Sequence, residues 1–385
     1  MQSIELLNRT IQENGMNKMS DKNKITWWVG VSILIQSQIG VGILSLSNKI
    51  HPVAKGDGWI SVILSGMIVQ LFITIIWYLM KTNPNKTLFE FAPLIAGKYL
   101  GALINISYIF YFLSTLVVIT LLFNDVLKRW IFFETPNIVI SILILMLSAY
   151  IASESLQIIA RFFSISVIFV ILLILITIPA FSFFDIRYIL PVGQAGVTNI
   201  IKATHQVNIS ILGFELFLIL MPFIKIKNRK YSFLLVGNIF TTVIYTFVVF
   251  TTFVVFSPYE IKLIIEPILY MLKALQFKLL DRMDLFFLSL WSVSVLTTLV
   301  IYLYSSALGI STILKKAKHK KVTYLIVIML LIIIYFLPKD MNSINLLAKI
   351  ISNLSYIFTA GIPFILLLIA SLKRLFRKKE ALTND

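Results

Sequence analysis

The sequence contains no cysteine, and histidine occurs only three times in 385 residues. Without cysteine there can be no disulfide bond and no thiolate ligand, and three scattered histidines do not form a metal-binding cluster. No apolar segment combines a nucleophile with a base or pairs two carboxylates. We therefore expect no metal, no cofactor and no enzymatic activity.

Charged residues are also scarce, at 13% of the chain, whereas 59% of the residues are hydrophobic and the mean hydropathy is +0.93. A soluble domain could not bury so much apolar surface. The charged residues cluster between long apolar runs, such as 59–80 and 231–256, each long enough to cross about 30 Å of hydrocarbon as a helix. Barrel strands would instead alternate over about ten residues. The sequence thus predicts an all-α polytopic membrane protein.

We predict ten transmembrane spans within a single domain at 25–372. The polar residues 1–24 precede the first span as an uncleaved cytoplasmic tail, and the basic residues 373–385 form a second cytoplasmic tail. The ten spans are expected at about 26–49, 59–80, 101–124, 136–152, 157–179, 196–224, 231–256, 284–314, 322–338 and 344–372.

Lysine and arginine determine the predicted orientation, because basic loops accumulate on the cytoplasmic side of a membrane. With the N-terminus inside, 22 of the 34 basic residues fall in cytoplasmic segments. In the outer loops, acidic residues offset most of the charge of the remaining basic residues. We therefore predict that both termini are cytoplasmic. The same distribution accounts for the net charge of +17 and the run 315–321 without nucleic acid as a partner. The partner of these loops is the lipid bilayer, whose inner surface is negative.

Small and polar residues interrupt two of the spans. Gln38-Ile-Gly-Val-Gly-Ile-Leu44 interrupts the first span, and Asn208-Ile-Ser-Ile-Leu-Gly-Phe-Glu215 interrupts the sixth. Breaks at corresponding places in two halves point to a ligand site built from unwound helices. We predict a five-plus-five inverted repeat with discontinuous helices 1 and 6, since an odd number of spans per half inverts the second half. The alternative for Gly40 and Gly42 is a surface where two helices pack closely.

The two breaks favour a ligand that carries a negative charge at one end and a positive charge at the other. The half-helix after each break directs N–H groups and the positive end of its dipole toward a carboxylate, and the half-helix before it directs carbonyls toward an ammonium group or a cation. An amino acid would satisfy both ends. The candidate substrate-binding residues are Gly40, Gly42, Ile43, Asn208, Ser210 and Gly213 in the breaks, with Tyr108, Tyr111, Thr297 and Thr298 near mid-depth of the third and eighth spans.

Glu215 is the remaining candidate substrate-binding residue, and of all the candidates it is the one for which the sequence argues most strongly. An ionised carboxylate facing hydrocarbon costs at least about 2.5 kcal/mol, so such a residue normally faces a partner or a wet cavity. Three roles are open at this point. The side chain could be a protonatable gate, a structural acceptor for backbone N–H groups, or the partner of a substrate's ammonium group.

The order and spacing of several motifs resemble the spore germination permeases, the integral B subunits of nutrient germinant receptors within the amino acid/polyamine/organocation transporter superfamily. The resemblance covers nearly the whole chain. Its motifs are Ile39-Gly-Val-Gly-Ile-Leu44, Asp57-Gly-Trp-Ile-Ser-Val, Lys86-Thr-Leu-Phe-Glu90, Gly97-Lys-Tyr-Leu-Gly101, Ile159-Ala-Arg-Phe162, Gly213-Phe-Glu215 with Pro222, and Asp281-Arg-Met-Asp284 with Trp291. Ser47-Asn48 departs from the pattern, because related chains often have a proline there.

The resemblance implies a ten-helix inverted-repeat fold, a small-molecule germinant as ligand, and assembly with A and C subunits in the spore inner membrane. The expected function is therefore that of a ligand-sensing receptor subunit, in which germinant binding shifts the equilibrium between two arrangements of the bundle. The alternative is a proton- or sodium-coupled transporter of amino acids or polyamines. Both functions use the same broken-helix site, so the sequence leaves the choice open.

Overall fold

The computed structural model of the chain describes residues 25–224, 231–275, 282–315 and 317–383. Within these ranges the chain forms sixteen α-helices and no β-strand beyond one isolated pairing of Ile25 with Ile224. The helices are α1 (Trp27–Gln38), α2 (Leu46–Ala54), α3 (Gly58–Thr82), α4 (Leu88–Ala96), α5 (Lys98–Trp130), α6 (Asn137–Ala152), α7 (Leu156–Thr177), α8 (Val197–Asn208), α9 (Phe217–Leu220), α10 (Ser232–Val255), α11 (Glu260–Leu263), α12 (Pro267–Ala274), α13 (Met283–Leu314), α14 (His319–Phe336), α15 (Met341–Tyr356) and α16 (Ile362–Thr383).

Seven helical stretches in the described ranges are long and apolar enough to cross a membrane, which makes the chain a multi-pass membrane protein. They are Leu46–Thr82, Lys98–Trp130, Leu156–Phe183, Ser232–Val255, Met283–Leu314, His319–Phe336 and Met341–Phe376. An eighth span results if Val197–Ile211 and Phe214–Phe223, which meet at an angle of 56°, are taken together. The all-helical membrane class is thus confirmed, and the count of ten spans stays a prediction.

The difference between eight and ten comes from α1 and α6. With 12 and 16 residues, these apolar helices are about 18 Å and 24 Å long at 1.5 Å per residue, short of a full crossing. The break after α1 separates it from α2. A tight turn at Lys55–Asp57 joins α2 to α3, and these two helices together form the stretch Leu46–Thr82.

The helices of the two halves pack on each other reciprocally. Helix α1 packs against α10, and α8 packs against α3. Helices α3 and α10 also contact each other, as do α5 and α13. An inverted repeat would produce these reciprocal contacts. In such a repeat α1 corresponds to α8 and α3 corresponds to α10, so a contact between α1 and α10 is matched by one between α8 and α3. The repeat itself stays a prediction.

The surface of the bundle is apolar and the interior contains many polar groups. Leu71, Phe110 and Leu143 are more than 60% exposed, whereas Gln36 and Gln38 are at most 1% exposed. This distribution suits a protein whose solvent is lipid, because hydrocarbon supplies no hydrogen bonds and polar groups must find partners inside the bundle.

The Gly56-Asp57-Gly58 turn between α2 and α3 joins the first half of the chain to the loop that precedes α8. The Asp57 carboxylate is fully buried and accepts hydrogen bonds from the backbone N–H groups of Gly193 at 2.7 Å and Ala195 at 2.8 Å. A side chain at position 56 would meet the Ile189 backbone, because a Cβ there would lie 2.9 Å from the Ile189 Cα. This turn therefore positions the entry to α8 against the C-terminal end of α2.

We expect Asp57→Asn to lower the free energy of unfolding by about 2 kcal/mol, because the amide NH₂ would oppose one of the two N–H donors and leave it buried without an acceptor. The thermal unfolding midpoint of the chain purified in detergent measures the effect. Asp340→Asn is the matched control, since Asp340 caps the start of α15 at an exposed site where asparagine caps equally well. Equal midpoints for the two variants would contradict the expectation.

Candidate ligand site at two broken helices

The interruption in the first predicted span lies between α1 and α2. Helix α1 ends at Gln38, Ile39 is extended, and the residues Val41–Ile43 form one 3₁₀ turn before α2 begins at Leu46. Glycine explains the break, because Gly40 and Gly42 both fall within what would be one helical turn and each is a poor helix former.

The interruption in the sixth predicted span is longer. Helix α8 ends at Asn208, a 3₁₀ turn covers Ile209–Ile211, and Leu212 is extended. Gly213 then has φ +120°, a left-handed conformation that L side chains rarely adopt, before the chain turns into α9. The 56° bend of this span is located here.

The two breaks contact each other through glycine. A Cβ on Gly42 would lie 2.6 Å from the Cα of Ser210, and a Cβ on Gly213 would lie 2.3 Å from the carbonyl oxygen of Ser37. Neither contact is possible for a larger residue without moving the backbone. The Tyr245 hydroxyl of α10 joins the same segments, because it lies 3.0 Å from the Gln38 carbonyl oxygen and 2.6 Å from that of Ser210.

Side chains already occupy several carbonyls at the C-terminal end of α1. The Thr298 hydroxyl donates to the Gln36 carbonyl at 3.1 Å, and the Trp291 indole N–H donates to the Gly40 carbonyl at 3.3 Å. The carbonyls of this half-helix are therefore less free for a ligand than the break alone suggested, since α10 and α13 supply donors to them.

A small cavity of about 30 Å³ lies between the breaks. Its lining consists of Ser37, Gln38, Gly40, Val41, Gly42, Thr115, Val118, Ile119, Leu122, Ile209, Ser210, Leu212, Thr298, Tyr302 and Ile351. The Oε1 atom of Gln38 and the Oγ atom of Ser210 are buried and have no hydrogen-bond partner among the described residues. Because such atoms normally have a partner, they are the groups of the cavity best placed to meet a ligand.

Four of the eleven predicted site residues line this cavity: Gly40, Gly42, Ser210 and Thr298. Ile43 is buried beside them in the apolar core, and Gly213 packs on α1. Thr297 lies one position from Thr298 and donates to the Gln36 side chain at 2.9 Å. A ligand-binding role for each of these residues stays a prediction.

Two other predicted residues contact the last span instead. The Asn208 amide donates to the Ser355 hydroxyl at 2.7 Å, and the Tyr108 hydroxyl donates to the Phe358 carbonyl at 2.6 Å. Phe358 lies in the π-helical turn Ile357–Gly361 that joins α15 to α16. Such a turn leaves backbone carbonyls short of their usual helical partners, which explains the acceptor offered to Tyr108.

Glu215 accepts three hydrogen bonds inside the bundle and is fully buried. Its Oε2 atom accepts from the Gly213 backbone N–H at 2.9 Å, and its Oε1 atom accepts from the hydroxyls of Tyr302 at 2.6 Å and Tyr111 at 3.3 Å. Tyr302 also lines the cavity. Glu215 therefore stabilises the turn at Gly213 and reaches the cavity through one tyrosine.

Sequence reasoning did not identify Tyr302, Thr115 or the apolar wall of the cavity. The spacing of these residues along their helices could have identified them. Thr115, Ile119 and Leu122 lie on one face of α5, and Tyr302 follows Thr298 by one turn of α13. In an apolar span this period is hidden, because apolar residues surround the helix on every side.

A second cavity of about 30 Å³ adjoins the first and shares Val41, Gly42, Leu122 and Ile209 with it. Charged side chains form much of its remaining lining: Lys49, Asp125, Arg129 and Glu266. Arg129 pairs with both Asp125 and Glu266. This cluster joins α2, α5 and the start of α12 on the side of the break opposite α1.

A family model described as "Spore germination protein" matches residues 24–344. The chain belongs to this family. It is 26% identical over 362 residues to Spore germination protein YndE of Bacillus subtilis (strain 168), covering 92% of this chain and 98% of the relative. It is 29% identical over 368 residues to Spore germination protein A2 of the same organism, covering 93% and 99%. The resemblance found in the motifs is thus confirmed, and the family consists of membrane germination proteins rather than enzymes.

The fold is that of transporters. A crystal structure of MhsT in complex with L-phenylalanine superimposes with a TM-score of 0.61, at 14% identity, and covers 89% of this chain and 97% of that one. At this identity the likeness shows the fold alone. Together, the family and the fold make the chain a membrane protein of the germination receptor or permease type.

Proposed function

We propose that the chain is the integral membrane subunit of a spore nutrient germinant receptor, which binds a small germinant at the two broken helices and thereby triggers germination. The observation that carries this proposal is the cavity that both breaks enclose, in a chain of the germination protein family. The germinant we propose is an amino acid. The proposal includes assembly with receptor A and C subunits in the spore inner membrane, with both termini of this chain cytoplasmic.

The unpartnered atoms of the cavity support a ligand with N–H donors. Gln38 Oε1 can only accept a hydrogen bond, and Ser210 Oγ can accept one as well. An ammonium group supplies three donors in a small volume, so it could bind both atoms at once. The N-terminal end of α2 lies on the other side of the 3₁₀ turn at Val41–Ile43, where its dipole favours the ligand's carboxylate.

The volume of the cavity supports a conformational change upon binding. About 30 Å³ accommodates one or two water molecules, whereas small-molecule sites measure about 300 Å³ or more. An amino acid therefore requires the breaks or the wall of α5 to move apart. A ligand that binds the expanded arrangement more tightly shifts the bundle toward it, and partner subunits could respond to that shift.

The experiment that tests the function is a panel of amino acids, nucleosides and sugars added to the purified chain, each with and without sodium, while the thermal unfolding midpoint is followed. A ligand that binds only the folded protein raises the midpoint with its concentration. We expect amino acids to do so and the other classes not to. A panel without any concentration-dependent rise would refute binding by the chain itself.

Ser210→Ala should separate binding from folding. We expect it to weaken affinity for the ligand found in the panel by about five- to ten-fold, the value of one hydrogen bond, and to leave the unfolding midpoint unchanged because the hydroxyl has no partner among the described residues. The affinity is measured by titration of the purified chain.

The matched control is Ser305→Ala. Ser305 is also a buried serine whose hydroxyl has no partner within the described part of the chain, but it does not line the cavity. Equal affinities for Ser210→Ala, Ser305→Ala and the unaltered chain would remove the Ser210 hydroxyl from the site.

The alternative is a proton- or sodium-coupled transporter of amino acids or polyamines. Two observations favour it: the transporter fold, and the second cavity that continues from the first toward the charged cluster at Arg129. Uptake into proteoliposomes that contain only this chain distinguishes the functions. Concentrative uptake under an ion gradient would support the transporter, and binding without uptake would support the receptor.

A further inference from the structure

A groove of about 500 Å³ lies between α5, α13 and α14 and shares no lining residue with the cavity at the broken helices. Most of its lining is apolar, including Leu314, Val322, Leu325 and Met329. The remaining members of the lining are two lysines, Lys318 and Lys321, at the end of the groove where α14 begins. This loop is one of the two most basic segments of the chain, together with 373–379, and is predicted to be cytoplasmic.

The two lysines act as one positive rim. They are three residues apart at the start of a helix, which makes them neighbours on its surface, and both are exposed. Among the described residues neither forms an ion pair with an acid. Their position at the N-terminus of α14 is unfavourable for cations, so helix formation does not explain them.

The apolar part of the groove is long enough to hold part of a lipid acyl chain. From Lys321 to Met329 the helix rises about 12 Å at 1.5 Å per residue. Leu325 and Met329 are 65% and 40% exposed along this path, on a helix apolar enough to cross the membrane. The groove therefore opens where hydrocarbon chains lie, and its charged end lies where headgroups lie.

We propose that this groove is a specific binding site for an anionic phospholipid, whose phosphate binds Lys318 and Lys321 and whose acyl chain packs along Val322, Leu325 and Met329. A basic rim above an apolar groove fits both parts of such a lipid. The proposal goes beyond the general attraction of basic loops to an anionic membrane, because it assigns binding of the phosphate to two lysines of this loop and not to the others. It is independent of the ligand site at the breaks.

The test uses the full chain purified in a neutral detergent, with phosphatidylglycerol added and bound lipid counted by native mass spectrometry. Phosphatidylcholine with the same acyl chains is the comparison. We expect preferential binding of phosphatidylglycerol, and an affinity reduced about ten-fold or more in Lys318→Gln/Lys321→Gln, since each lysine near a membrane surface contributes about 1 kcal/mol.

The matched control is Lys315→Gln/Lys320→Gln, which removes the same charge from exposed positions of the same loop outside the groove. We expect it to leave the affinity unchanged, and an equal loss in both double variants would overturn the proposal in favour of diffuse attraction. Leu325→Trp fills the groove with every lysine retained, and we expect it to weaken binding. Unchanged binding in Leu325→Trp or in Lys318→Gln/Lys321→Gln would likewise overturn the site.

Discussion

Gly213→Ala is expected to lower the free energy of unfolding by at least about 4 kcal/mol, or to prevent the chain from accumulating in the membrane. Two costs combine at this position. The φ of +120° is strained for any L side chain, and the new Cβ would lie 2.3 Å from the carbonyl oxygen of Ser37. Because the obstacle is backbone, relief requires α1 and the second break to separate.

Two further glycines allow these costs to be measured one at a time. Gly97 has φ +87° and ψ 167°, and a Cβ added there would have no described atom within 4 Å, so Gly97→Ala carries the conformational strain alone, about 1–3 kcal/mol. Gly42→Ala carries the steric cost, because its Cβ would lie 2.6 Å from the Ser210 Cα. Thermal unfolding midpoints in detergent should rank Gly97→Ala above both variants in the breaks.

The opposite ranking, or a Gly213→Ala protein as stable as the unaltered chain, would mean that the breaks do not contact each other as described. Gly40→Ala adds a graded check. Its Cβ would lie 3.2 Å from the Thr298 hydroxyl, a side chain that can move by a few tenths of an ångström, so we expect a small loss of stability.

The membrane class, the family and the location of both breaks could be predicted from the sequence. Gln38 and Asn208 signal the breaks because amide side chains and glycines are unusual inside a run of apolar residues. Non-helical backbone at membrane depth is tolerated only where it is buried in protein or lines a cavity, and breaks at matching places in two halves point to a site. Helix boundaries were predicted less well. The first span was expected to end near 49, whereas α2 continues to Ala54. Lys49 lies inside the protein, where it lines the second cavity with Arg129 and Glu266.

The contacts that complete the site could not be predicted, because they join residues far apart in sequence. Tyr245 lies 35 residues from Ser210 and 207 from Gln38, yet its hydroxyl contacts both carbonyls. Asp57 likewise caps backbone N–H groups more than 130 residues away. Apolar spans conceal which face turns inward, since a helix that is hydrophobic all round has no amphipathic period to reveal its orientation.

Glu215→Leu is expected to cost at least about 4 kcal/mol of stability, because it orphans three buried donors at once, each worth about 1–3 kcal/mol. These donors are the Gly213 N–H and the hydroxyls of Tyr302 and Tyr111. Leucine is no smaller than glutamate, so the loss of stability does not come from a cavity. Tyr302→Phe removes one donor and keeps the acceptor, and we expect a smaller loss of about 1 kcal/mol.

Glu215→Gln distinguishes a structural acceptor from a gate or an ammonium partner. The glutamine oxygen can accept from the tyrosines or from Gly213 but not from both sides, so we expect a loss of stability between those of Tyr302→Phe and Glu215→Leu. Both carboxyl oxygens already have donors from the protein, and we therefore expect the folded Glu215→Gln protein to bind the ligand with unchanged affinity and unchanged pH dependence. Affinity that falls ten-fold or more while the unfolding midpoint is preserved would instead mean that the ligand displaces Tyr302 and contacts the carboxyl group directly, because no structural role of Glu215 could produce that combination.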